Sequence, residues 1–200
     1  MLTGVDIGTN IYIFSLIVDL YELDSLGVDT SAKIAEIGKQ IRSYMRIFDK
    51  LKDTKIWKAL SRTEDLRLYL SNVSSECRLA RIAKRYGFDV KLGVHPDLTI
   101  DGKKIEVKRV SSFDKFAGLS NPIEEGLKQN SDITVIEVHS LEKRSIKGFK
   151  TTWLGRGNLR STLKTALSFK RNGNCILLFS GTTEGLEGRV ILLKSTKQKA

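Results

Sequence analysis

Two carboxylates and an ammonium group interrupt the otherwise apolar pattern of residues 95–110, HPDLTIDGKKIEVKRV. The stretch predicts two short strands around a turn, yet Asp97, Glu106 and Lys108 occupy positions where a half-buried strand favours valine or isoleucine. Two neighbouring carboxylates are stabilised by a shared proton or by a cation, and their oxygens are the ligands that Mg²⁺ and Mn²⁺ prefer. The chemistry that these residue types favour is therefore the binding of a divalent cation.

The register of the hairpin follows from Asp101-Gly102, a dipeptide typical of a type I′ turn, in which both central residues have positive φ. This turn predicts that Asp97 lies directly opposite Glu106 and that His95 lies opposite Lys108. Directly opposed side chains have Cβ atoms about 4.5–5.5 Å apart, where like charges are destabilising unless they are neutralised. The alternative is an exposed edge strand with solvated carboxylates. Because side chains alternate between faces, the other face of the hairpin is apolar and consists of Leu98, Ile105 and Val107.

The helical pattern before the hairpin, from about 63 to 86, carries a third carboxylate. Its apolar stripe contains Leu79, Ala80 and Ala83, and Glu76 falls on the same face, one turn before Ala80. A carboxylate that faces a core needs a partner, and the metal is one candidate. The alternative is that Glu76 lies in the first turn of the helix and complements the helix dipole.

The positive charge of the chain predicts an anionic partner, with nucleic acid ahead of anionic lipid. The formal net charge is +11 and the isoelectric point is about 9.7. Stripes of basic side chains suit a phosphate backbone, although a solvated face is an equal alternative. The predicted DNA-binding residues are Arg78, Arg81, Arg85, Arg109, Arg160 and Lys164.

The hydrophobic period changes after Gly87, which is the predicted C-cap of the preceding helix. Strand-like runs follow, separated by helical patterns at about 121–130 and 157–171, so the sequence predicts a mixed α/β core. We expect a helical N-terminal segment over 1–70 and the core over 71–200. Within the former, residues 31–51 show a heptad pattern that indicates either packing inside the chain or a homodimer interface.

Composition narrows the class of protein further. The chain has 200 residues and only two cysteines, Cys77 and Cys175, which show neither zinc-ligand spacing nor a disulfide framework. The apolar run at 11–20 is too short to span a bilayer and has no signal-peptide features. We therefore expect a cytoplasmic globular protein without a membrane segment.

At these residues the chain resembles the PD-(D/E)XK nuclease superfamily, which has the restriction-endonuclease-like fold. Pro96-Asp97 matches the PD, Glu106-Val107-Lys108 matches the (D/E)XK, and Glu76 matches the additional acidic residue on a preceding helix. Residues 76–110 are especially similar to archaeal Holliday-junction resolvases, and the small nucleases of archaeal spindle-shaped viruses are another similar group. The resemblance covers roughly residues 71–180 in element order, and the motifs lie within 76–110.

The resemblance implies a mixed β-sheet core flanked by helices and the hydrolysis of DNA phosphodiester bonds with Mg²⁺ or Mn²⁺. It implies that Asp97, Glu106 and the backbone carbonyl of Val107 hold the ion. Lys108 would orient the attacking water or stabilise developing charge, and Glu76 would hold a second ion or a bound water. A structure-specific resolvase and a general DNA endonuclease both fit this pattern.

Two other functions remain to be weighed. A non-catalytic nucleic-acid-binding protein could use the same scaffold, but an acidic cluster repels phosphate and serves no purpose in such a surface. The stretch GVDIGTN at 4–10 resembles the first phosphate loop of actin-like kinases, whose fold requires two lobes and a longer chain. We therefore expect no nucleotide cofactor.

Overall fold

The computed structural model describes residues 7–51, 56–110, 119–129, 131–138, 149–169, 175–182 and 185–195. Within these ranges the chain forms five helices and seven strands. The helices are α1 (Ile7–Ser25), α2 (Ser31–Leu51), α3 (Ile56–Arg85), α4 (Ser120–Lys128) and α5 (Leu159–Ser168). The strands are β1 (Val90–Leu92), β2 (Leu98–Ile100), β3 (Lys103–Arg109), β4 (Ile133–Glu137), β5 (Phe149–Asn158), β6 (Cys175–Thr182) and β7 (Gly185–Ser195).

All seven strands belong to one mixed sheet with the order β1-β2-β3-β4-β6-β7-β5. Its centre is parallel, because β4 pairs in parallel with both β3 and β6. The two flanks are antiparallel: β1 and β2 continue from β3, and β7 and β5 continue from β6. The predicted mixed α/β core is therefore confirmed, and the predicted helical N-terminal segment is confirmed in part.

Helices cover both faces of the sheet, which explains why its central strands are apolar on both sides. Alternate residues of β4 illustrate this arrangement. Val135 packs in a core shared with α3 and α5, whereas Ile136 packs in a second core with Ile123 of α4. The central strands thus reach the carboxyl edge of the sheet with both faces shielded from water.

The first three helices pack into the same core as one face of the sheet. On α2, Ile37 and Tyr44 are buried in this core, so much of the predicted heptad pattern packs inside the chain, while Ile34 is exposed. Helix α3 is continuous through residue 70, where we placed the division between the N-terminal segment and the core. The two predicted segments therefore share one helix and one hydrophobic core.

The sequence patterns did not predict β5. They placed a helix from about residue 157, but Asn158 is instead the N-cap of α5, and its side chain accepts a 2.9 Å hydrogen bond from the amide of Ser161. A residue in this role has extended backbone geometry and begins a helix, so Asn158 is the last residue of β5 and α5 follows it directly. The pairing of β5 with β7, with an irregularity between Trp153 and Arg156, depends on residues distant in the chain.

The helices and the cysteines of the described ranges are relevant to the predictions about a membrane segment and a disulfide bond. None of the helices there is long and apolar enough to cross a membrane. Cys77 and Cys175 are both buried and free. Of the stretch 4–10, residues 7–10 form the start of α1, and 4–6 lie outside the described residues.

Candidate active site

The Asp-Gly turn and the strand register that it sets are as predicted. Asp101 and Gly102 have φ values of 48° and 79°, and the turn joins β2 to β3. Leu98 pairs with Ile105, and both side chains are completely buried in the core. The predicted apolar face of the hairpin is therefore confirmed.

The predicted ladder pairs of Asp97 with Glu106 and of His95 with Lys108 do not form. Strand β2 begins at Leu98, because residues 93–97 form the turn that connects it to its other neighbour, β1. The amide of Gly93 donates a 2.8 Å hydrogen bond to the carbonyl of Asp97 and closes this turn. His95 is consequently exposed.

Asp97 nevertheless faces the strand that bears Glu106. The amide of Val107 donates a 2.9 Å hydrogen bond to Oδ2 of Asp97, so the carboxylate lies against the backbone of β3. Asp97 is 7% exposed and Glu106 is 3% exposed. The alternative of a solvated edge strand is therefore wrong.

Glu106 lies between two polar side chains. Its Oε1 is 2.7 Å from Nζ of Lys108, two residues further along the same face of β3. The carboxamide of Gln129, at the end of α4, also lies against Glu106. With its nitrogen turned toward the carboxylate, that nitrogen is 2.7 Å from Oε2. Glu106 is thus held by groups from two elements.

Glu76 lies deep within α3 and points into the protein. Its position twenty residues after the start of α3 excludes the alternative that it caps the first helical turn. It is 4% exposed, and its Oε2 is 2.8 Å from Nζ of Lys33 on α2. The same ammonium lies 3.2 Å from Oε2 of Glu36, so a helix of the N-terminal segment contributes a charged side chain here.

The pKa shifts show that these acidic residues form one electrostatic group. Burial, together with the charges of Glu76 and Glu106, raises the pKa of Asp97 to about 8, against the opposing effects of the Val107 amide and Lys33. Burial also raises the pKa of Glu76, with Lys33 acting in the opposite direction and Glu36 and Glu106 adding to the rise. Asp97 and Glu76 therefore lie within electrostatic range of each other and of Glu106.

The donor set is chemically suited to a hard divalent cation. Carboxylate oxygens dominate it, and within the described ranges Asp97 has no lysine contact like those of Glu76 and Glu106. Across the ranges that the structure describes, no three acidic, histidine or cysteine side chains stand close enough together to form a complete cage. The suitability of the site for a divalent cation therefore depends on its carboxylate donors and on its negative charge. Asp97 and Glu106 are the side chains that would hold the ion.

The predicted DNA-binding arginines on α3 have partners within the protein. Arg81 contacts Asp19 and Glu22 of α1 at 3.1 and 2.8 Å, and Arg85 also pairs with Glu22. Arg78 is 2.8 Å from Glu137 of β4. These contacts join α3 to α1 and to the sheet.

The remaining predicted basic residues differ in their surroundings. Arg109 donates a 2.9 Å hydrogen bond to the hydroxyl of Ser71 on α3. Arg160 is exposed, with its guanidinium 5.8 Å from the centre of the Tyr86 ring, and Lys164 is exposed one turn later on α5. In the described part of the chain, neither Arg160 nor Lys164 forms an ion pair, so both are available to an anionic ligand.

Sequence reasoning overlooked Lys33 and Glu36. A signal for Lys33 was present, since it lies four residues before Ile37 on the buried side of an amphipathic helix, where a lysine requires a carboxylate partner. Its partners could not be read from the pattern, because they depend on how α2 packs against α3.

No protein-family model, curated protein or solved structure matches the chain. We therefore infer its function from the positions, burial and charges of its own side chains.

Proposed function

We propose that this chain is a metal-dependent DNA endonuclease with a restriction-endonuclease-like core of the PD-(D/E)XK type. The observation that carries the proposal is the hydrogen bond from Val107 to Asp97, which brings a buried aspartate to the strand that bears Glu106 and Lys108. Two buried carboxylates beside a lysine, in a protein of net charge +11, suit a reaction on a polyanion.

Asp97, Glu106 and the Val107 carbonyl would hold Mg²⁺ or Mn²⁺. When bound, the ion supplies Lewis-acid polarisation of the phosphate and acidifies water. Lys108 lies next to Glu106 and is 17% exposed at its side chain, so its ammonium is positioned to contact a phosphate or the attacking water. Gln129 restrains Glu106 from the side of α4.

The DNA would be bound by exposed basic side chains outside the acidic group. Arg160 and Lys164 satisfy this condition best, because each is exposed and has no carboxylate partner in the described ranges. Arg109 directly follows Lys108 and adds a second positive charge at the end of β3. A branched substrate such as a Holliday junction is the finer alternative to linear duplex DNA within this proposal.

We also propose that the protein is a homodimer assembled through the outer face of α1. Exposed apolar side chains recur there at steps of three and four residues: Ile11, Phe14, Val18 and Tyr21. Beside them, a groove of about 460 Å³ runs between α1 and α2 and is lined in part by Ile17 and Ile34. Since the protruding side chains and the groove share one face, two copies related by a two-fold axis can fill each other's grooves.

The endonuclease proposal is tested with labelled duplex, four-way-junction and single-stranded DNA in Mg²⁺, Mn²⁺ or EDTA. We expect cleavage that requires the metal and that falls by at least about 100-fold in Glu106→Gln, whose side chain is nearly isosteric. Glu124→Gln, at an exposed position of α4, is the matched control and should cleave normally.

Two results would contradict the proposal in different ways. Undiminished cleavage by Glu106→Gln would show that the assigned site is wrong. DNA binding without cleavage in any metal would favour the non-catalytic nucleic-acid-binding protein.

The dimer is tested separately by light scattering after size-exclusion chromatography. Phe14→Glu should yield a monomer, whereas Leu68→Glu, at an exposed leucine of α3, should remain dimeric. A wild-type monomer at concentrations of tens of micromolar would refute the dimer without affecting the endonuclease.

A further inference from the structure

Lys33 is a buried cation in a position that the motif does not explain. It is 1% exposed and is among the largest of the completely buried side chains in the described ranges. An isolated ammonium in a protein interior is strongly unfavourable because it loses its hydration, so its position requires compensating charges. Those charges are the carboxylates of Glu76, at 2.8 Å, and Glu36, at 3.2 Å.

The ammonium remains charged in this environment. Burial alone lowers the pKa of Lys33, but Glu76, Glu36 and Asp97 outweigh burial, and the pKa lies above its ordinary value. Tyr69 lines the same region, since burial and then the charges of Glu36 and Glu76 raise its pKa. Lys33 is therefore a fixed positive charge at the α2 side of the acidic group.

Formal charges indicate how many further cations the group needs. It contains four carboxylates, which belong to Glu36, Glu76, Asp97 and Glu106. Two ammonium groups lie at its two sides: Lys33 contacts Glu36 and Glu76, and Lys108 contacts Glu106. With all four carboxylates ionised, a formal charge of −2 remains, one charge on Asp97 and one shared by Glu36 and Glu76, and a single divalent ion offsets that total.

We propose that the Lys33 ammonium occupies the place of a second metal ion between Glu36 and Glu76, so that the site takes one divalent cation, at Asp97 and Glu106. The inference rests on the proposed metal-dependent function. Lys33 would act as a positioning residue, because it touches Glu76 and neither the substrate nor the metal.

The proposal is tested by counting bound Mn²⁺ per chain, with electron paramagnetic resonance of the free ion during titration. Wild-type protein should bind one Mn²⁺. Lys33→Met leaves two carboxylates facing each other without a cation and should bind two. Lys33→Gln is the second variant, since it can still hydrogen-bond to Glu76 and keeps the test usable if Lys33→Met does not fold. Lys39→Met, at an exposed position of α2, is the control and should bind one.

Each outcome decides a separate question. One ion in the wild type and two in a folded Lys33 variant support the inference. Two ions in the wild type, or one in a folded Lys33 variant, overturn it and leave the metal-dependent function intact. If the wild type binds no Mn²⁺ and cleaves no DNA, the proposed function fails as well.

Discussion

The backbone amide of Val107 donates a 2.9 Å hydrogen bond to the carboxylate of Asp97. Val107 lies between Glu106 and Lys108 on β3, so this bond fixes Asp97 relative to both of these side chains. Asp97 itself belongs to the turn between β1 and β2. A hydrogen bond to a backbone group, unlike a contact between two flexible side chains, holds the carboxylate at a defined place along the strand.

Lys108→Met should reduce DNA cleavage by about 10²–10³-fold and leave DNA affinity nearly unchanged, because it removes a charge that acts on the reacting phosphate. The measurement is single-turnover cleavage at saturating enzyme. Lys104→Met is the matched control, since Lys104 lies on the same strand and face but is exposed. Equal losses in both variants would mean that general electrostatic attraction, rather than position, is responsible.

Asp97→Asn should stabilise the metal-free protein at alkaline pH. Burial and the neighbouring carboxylates raise the pKa of Asp97 to about 8, whereas an aspartate in an unfolded chain titrates near 3.9. As the pH rises between these values, the unfolded chain releases a proton that the folded protein retains, so this group makes the folded state progressively less stable. The asparagine cannot ionise and still accepts the hydrogen bond from Val107.

Thermal unfolding in EDTA at about pH 5 and about pH 8 measures this effect. The variant should lose less stability over this range than the wild type and should melt roughly 2–4 °C higher at the upper pH, corresponding to about 1 kcal/mol. Excess Mn²⁺ should then raise the melting temperature of the wild type and not that of the variant. If Asp97→Asn lost more stability than the wild type between about pH 5 and about pH 8, this result would contradict the raised pKa of Asp97.

Gly93→Ala should impair the site by displacing the turn that holds Asp97. A Cβ at residue 93 would lie 2.5 Å from the carbonyl oxygen of Pro96, too close for backbone atoms to accommodate without movement. We expect a loss of about 1–3 kcal/mol in unfolding free energy and a fall in cleavage. His95→Ala, at an exposed position of the same turn, should change neither. Normal cleavage by Gly93→Ala would show that the position of this turn is unimportant for catalysis.

Substitutions of Arg81 and Arg160 should distinguish an arginine that stabilises the fold from an arginine that binds DNA. Arg81→Met removes contacts with Asp19 and Glu22 and should lower the melting temperature by about 2–4 °C with little effect on DNA affinity. Arg160→Met should weaken DNA binding and reduce its salt dependence, with no loss of stability. The reverse result would restore α3 as the DNA-binding surface. Fluorescence anisotropy across a salt series distinguishes these outcomes.

Local signals in the sequence predicted most of the hairpin. The Asp-Gly turn determines its own backbone conformation, and the alternation around Ile105 identifies the buried face without knowledge of the rest of the fold. The extension of the ladder to Asp97 was wrong because β1, a separate strand, ends β2 at Leu98. The pairing of β2 with β1 determines where β2 begins, whereas the prediction considered only the Asp101-Gly102 turn.

The surroundings of the site were less predictable for a related reason. The helical period placed Glu76 on a buried face, but its partner Lys33 lies more than forty residues earlier, on another helix. Likewise, the spacing of Arg81 and Arg85 is the same whether they face DNA or α1. A period identifies a face of a helix, and only packing identifies what that face meets.

The continuity of α3 across residue 70 has a practical consequence for shortened versions of this protein. A fragment that begins in α3 just before Leu70 would retain all of the residues that match the predicted motif, including Glu76. It would lack the lysine opposite Glu76 and the acidic residues of α1 that hold Arg81 and Arg85, and it would open the buried side of Leu70 and Val73 to water. We expect such a fragment to aggregate through these newly exposed apolar residues.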